Sequence, residues 1–126
     1  MPHERPFKNV HYGARMSPKK VQPMCAQIRG KKLDQAMAIL DLSKKRSAVL
    51  IRQALLAAKA NADQGEADVR KLVVTDCRAD DGPRMKRFQP KDRGRAHRII
   101  KRTCHITVAV DEVETPEKKT RETTSK

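Results

Sequence analysis

Between residues 82 and 102 nine cationic side chains stand against a single acid, Asp92, giving this stretch a local charge of +8. They are Arg84, Lys86, Arg87, Lys91, Arg93, Arg95, Arg98, Lys101 and Arg102. Cations of one sign at this density do phosphate chemistry. Arginine forks grip oxyanions bidentately and lysines act as point charges, so the segment is built to hold a polyanion. A merely solvated loop would need neither this sign bias nor the large apolar Met85 and Phe88 set among the charges.

Other chemistry finds no support. There is no Cys-x-x-Cys pair, and the adjacent Cys104 and His105 fall on opposite sides of a strand, which disfavours joint metal ligation. Asp80-Asp81 followed by Gly82-Pro83 reads as strand-end and turn chemistry rather than a catalytic carboxylate pair. Arg93-Gly94-Arg95 is too short for a phosphate-cradling glycine loop. His3, His11 and His97 have no partner in sequence. An enzyme is not expected, nor a cofactor or a metal.

The chain of 126 residues is sized for one domain with a modest core. Its net charge of +14 lies in two blocks, residues 1–32 and 82–102, around a neutral body. The first block brings Lys19, Lys20, Arg29, Lys31 and Lys32. No apolar run is long enough to span a bilayer and residues 1–6 hold no apolar signal core, so a cytoplasmic protein without membrane contact is expected. Cys25, Cys77 and Cys104, odd in number and widely spaced, fit reduced, buried thiols.

The elements that must carry the charges are readable from apolar spacing. Residues 7–12 suggest an edge strand. Ser17-Pro18 reads as a helix N-cap and first position, followed by Val21, Met24, Cys25 and Ile28 on one face, with Gly30 as stop. Pro23 inside that helix predicts a kink or a late start. Leu33, Ala36, Met37 and Leu40 predict a helix over 33–40. Ser43 is expected to cap a third over 44–62, with Ala48, Ile51, Leu55, Ala58 and Ala62 buried and Gly65 ending it. Two strand-like runs follow, 69–77 and 99–110. In the first, Leu72 and Val74 should share one face, and Val73, Thr75 and Cys77 the other. In the second, Ile100, Cys104, Ile106, Val108 and Val110 should face the helices, leaving Lys101, Thr103, His105 and Thr107 for a partner. From Asp111 the chain is polar and highly charged, and a disordered tail over 111–126 is expected after a single domain over 1–110.

This places the basic stretch, about residues 78–100, on a two-stranded arm reaching roughly 25 Å at 3.3 Å per residue. Alone such a ribbon is marginal, so it calls for a surrounding surface such as folded RNA. Aromatic residues are only 2% of the chain, which argues against a base-stacking reader of single strands. A basic arm entering the DNA minor groove is the rival reading and predicts a homodimer. A basic grip on an acidic protein is the third. Neither accounts as well for a second basic block.

The motifs Ser17-Pro18-Lys19-Lys20-Val21, Ile28-Arg29-Gly30-Lys31-Lys32 and Ala36-Met37-Ala38-Ile39-Leu40 are shared with a known family, as are residues 82–87 and above all residues 94–108. With them the chain resembles the bacterial large-subunit ribosomal protein family numbered twenty-two, over about residues 16–110. The resemblance implies an α+β fold of three helices packed on a small three-stranded antiparallel sheet, with a long protruding basic β-hairpin. It implies a ribosome-bound protein, not a homo-oligomer, that binds large-subunit (23S-type) ribosomal RNA in several domains and assists early assembly. The body would lie near the exit of the peptide tunnel. The hairpin would line it, meeting the fourth large-subunit protein and the nascent peptide at a tip of Met85, Lys86, Arg87, Phe88, Gln89, Pro90 and Lys91. In that family changes at the tip are associated with macrolide resistance and altered response to arrest peptides. Gln22-Pro23 and Phe88-Gln89 depart from the usual pattern. His97 and His105 join the cations named above as expected RNA-facing groups.

Overall fold

The structure, a computed structural model, describes residues 7–113. Strand β1 (Phe7–Ala14) is followed by helices α1 (Pro18–Ile28), α2 (Leu33–Leu42) and α3 (Arg46–Gln64). A 3-10 turn at Val69–Lys71 leads into strands β2 (Leu72–Asp81), β3 (Met85–Lys91), β4 (Arg95–Lys101) and β5 (Cys104–Glu112). The body sheet is antiparallel in the order β1-β5-β2, and β3 and β4 form a separate two-stranded sheet. The fold is α+β: three helices on a three-stranded sheet, with a hairpin apart from it.

The helices form because their apolar residues recur every three to four positions and find one another. Val21, Met24, Cys25 and Ile28 of α1 are all buried, as are Leu33, Ala36 and Leu40 of α2 and the whole expected stripe of α3. Alanines at 54, 58 and 62 are fully packed and let α3 lie close to the sheet. Helix α1 starts at Pro18, with no late start. Pro23 sits on the exposed side, where the carbonyl it cannot bond is free to meet water. Ser43 does not cap α3. Lys45 holds that position, while the Ser43 hydroxyl accepts from Lys45 N–H at 3.4 Å and donates to Met24 Sδ at 3.6 Å. Asp41 and Leu42 extend α2 by one half-turn beyond the expected end.

The strands differ from strict alternation at one point. Val74 pairs with Val110 but Asp76 with Ala109, so Thr75 is an extra residue, a β-bulge whose hydroxyl donates to the Ala109 carbonyl at 3.2 Å. The bulge shifts the pleat by one. Cys77 and Ala79 therefore join Leu72 and Val74 on the buried face, where unbroken alternation would have put Cys77 opposite. The second run is also not one strand. It breaks at Arg102-Thr103, so Ile100 belongs to the arm, 39% exposed, and not to the core. In β5 the residues Cys104, Ile106, Val108 and Val110 are fully buried; Thr107 of this central strand and Thr103 just before it are buried as well, so neither is left for a partner as expected. Asp111 and Glu112, expected at the head of a tail, are paired in β5 against Val73 and Leu72; residues 114–126 lie outside the described residues.

Cys25, Cys77 and Cys104 are free thiols, each wholly buried. A hydrogen bond with the Cys25 thiol, together with burial, pushes the Cys77 thiol far up, and burial also raises Cys104. All three should resist a thiol reagent in the folded protein, reacting at least about a hundredfold more slowly than after denaturation. A thiol that titrates at once without denaturant would contradict this packing.

Candidate nucleic-acid interface

The hairpin pairs in perfect register from Met85↔Lys101 at its root to Lys91↔Arg95 at its end, closed by Asp92-Arg93-Gly94. Arg93 and Gly94 both take positive φ, 59° and 73°, the left-handed pair a tight turn of this hand requires. Seven residues a side give about 23 Å of reach at 3.3 Å per residue. Every residue from Lys86 to Arg102 is exposed, including Phe88 at 71%. The arm thus holds its cations away from the body.

Its root is clamped. Gly82 N–H donates to the Thr103 carbonyl at 3.0 Å, and the Thr103 hydroxyl donates to the Pro83 carbonyl at 2.6 Å. A β-carbon on Gly82 would come within 2.7 Å of that hydroxyl and 3.3 Å of the Thr103 backbone, so only glycine lets the two strands cross this closely. Arg84 pairs with Asp81 at 3.3 Å beside the clamp.

The fold redistributes the basic blocks of the sequence. Lys101 and Arg102 meet Arg15, Lys20 and Arg46 around a cavity of about 500 Å³ at the arm's root, with Met16, Met85 and Ile100 as its apolar walls and Ser17 on its rim. Lys19 and Arg102 line an adjoining hollow, and Lys45 and Arg46 a third. At the far end of the arm Lys91, Arg93, Arg95 and His97 gather around Asp92. Lys31 and Lys32 are elsewhere. Gly30 N–H donates to the Val74 carbonyl and Val74 N–H to the Lys31 carbonyl, which fastens this loop along the start of β2. From Val73 to Asp81 is eight residues, about 26 Å, so these two lysines form a second positive pole at the other end of the sheet.

Two expected contact residues have structural work. Arg29 donates to the Cys77 carbonyl at 2.6 Å and ties the end of α1 to β2, although the residue is otherwise exposed. His105 accepts from Gly13 N–H through Nδ1 at 3.1 Å and meets the Tyr12 ring edge-on at 5.2 Å, which leaves Nε2 as its donor. Arg15, Lys45 and Arg46 were not singled out by sequence. Their signal is positional: Arg15 lies just before the N-cap of α1, and Arg46 opens α3.

Among the described residues no group of three or more His, Cys, Asp or Glu could hold a metal ion, and no helix is long and apolar enough to cross a membrane. An α+β body with basic poles at both ends of its sheet, carrying a bare cationic hairpin, is the build of a scaffolding protein of a ribonucleoprotein particle. Residues 10–111 match the family described as ribosomal protein L22p/L17e, and the chain belongs to that family. It is 54% identical over 97 residues to the large ribosomal subunit protein uL22 of Magnetococcus marinus, a match covering 76% of this chain and 86% of that protein. The chain is accordingly a non-enzymatic protein of the large ribosomal subunit, with ribosomal RNA and ribosomal proteins as its partners.

Proposed function

We propose that the protein holds separate segments of large-subunit ribosomal RNA together from early in subunit assembly, its body near the exit of the peptide tunnel and its hairpin lining the tunnel wall. The observation that carries this reading is the hairpin itself, a seven-pair ribbon exposed along its length and free of strand pairing to the body. Such a ribbon is marginal in water, and phosphates along both sides would supply the contacts that fix it. The pole at Lys31 and Lys32 would engage a different RNA segment from the arm, since the body sheet separates them. The far end of the arm, Phe88 through Lys91 with the turn beyond it, would face the nascent peptide and the fourth large-subunit protein, whereas Met85, expected at the tip, pairs with Lys101 at the root.

Deleting Met85 to Arg87 separates arm from body in a test. Shortened protein should still enter large subunits at near wild-type stoichiometry on sucrose gradients, while chemical probing of tunnel nucleotides changes. Subunits that fail to form would instead make the arm an assembly anchor, and unchanged probing would remove it from the tunnel.

A further inference from the structure

We propose that the cavity at the root of the arm takes one unpaired, splayed-out nucleotide, its base against Met16, Met85 and Ile100 and its flanking phosphates among the five surrounding cations. This rests on the RNA-binding reading above and adds a structural class of target to it. Phosphate binding alone explains Arg15, Lys20, Arg46, Lys101 and Arg102, which face the hollow with no acid among its lining. It does not explain three large apolar side chains in the same wall. Met85 is the one residue of the two arm strands that is only half-exposed, and Ile100 on the facing strand lines the same hollow, whereas the other large apolar residues of the ribbon, Phe88 and Ile99, do not. A volume of about 500 Å³ is far more than a phosphate needs and falls in the range of small-molecule pockets, roughly 300–1,000 Å³.

The shape selects the state of the RNA. Bases of a continuous helix are stacked and paired, so they cannot enter a concavity, whereas a bulged or looped base is free to swing out into one. The Ser17 hydroxyl at the rim makes no capping bond and is available to a base edge or sugar. With no aromatic ring in the wall and two adaptable methionines, recognition would be of the extruded state and not of the base's identity.

The test uses the full chain and two short RNA duplexes, identical except that one carries a single unpaired central adenosine, with binding read by fluorescence anisotropy at fixed salt. The bulged RNA should bind about tenfold tighter, and a uridine bulge should stay within about threefold of adenosine. The double variant Met85→Ser, Ile100→Ser lies outside the body core and should bring the two duplexes to within about twofold, with affinity for the unbulged one unchanged. Equal affinity of the wild type for both RNAs, or a preference that survives the double substitution, would overturn the nucleotide site and leave the RNA reading standing. Binding to neither RNA would overturn both.

Discussion

Replacing Arg46, Lys101 and Arg102 together with alanine lowers affinity for ribosomal RNA on the order of a hundredfold at physiological salt and flattens its salt dependence by about two to three units of log–log slope. The three come from α3 and from the end of the hairpin, and they converge only in the folded chain, around the cavity at the arm's root. Each is exposed and none forms an ion pair among the described residues, so their charge is available to phosphates and their loss should not cost folding. A salt series with the variant and wild type checks both numbers. The informative control is Arg52→Ala. That arginine is also on α3, but it is already paired with Asp41 at 2.6 Å, and its removal should leave the slope within half a unit. A triple variant with the wild-type slope would take the root off the RNA contact surface.

The second large effect is on stability. Leu55 is fully buried on α3, the helix that packs across both β1 and β5 as well as α1 and α2. Leu55→Ala removes three carbons from that junction and leaves a cavity, a change costing about 2–5 kcal/mol. Against a total of roughly 5–15 kcal/mol for a domain this is a large share, and the melting midpoint should fall by about 10–20 °C. Thermal unfolding followed by circular dichroism gives the shift. A fall below about 3 °C would mean that α3 does not pin the sheet as described.

The helices were legible because their information is local. Val21, Met24, Cys25 and Ile28 mark a face by spacing alone, and the α3 stripe does the same. The arm was legible from charge density, and its hairpin form from the runs flanking it. What was hidden depends on partners distant in sequence. Nothing near Thr75 announces a bulge, because the extra residue is defined only by the register against Val110 and Ala109. Ile100 looked like core since it continues the alternation of Cys104 and Ile106, but the break at Arg102-Thr103 puts it on the arm. The root cavity draws on segments around residues 15–20, 46, 85 and 100–102, so no linear motif contains it. Charge counting also grouped Lys19 and Lys20 with Lys31 and Lys32, which the length of α1 and the docking of the 30–32 loop carry to different ends of the body.

The pairing of Phe7 with Val110 joins the first described strand to the last. At a synthesis rate of about 5–20 residues per second, roughly 5–20 s pass between the emergence of β1 and that of the strand it needs. During that interval β1 has no partner, because β2 does not border it and β5 does not yet exist. The helices can form early, whereas the sheet closes only after the whole cationic arm has been made. The newly made chain therefore presents its charges before its body is finished, and a polyanion can capture it in that unfinished state.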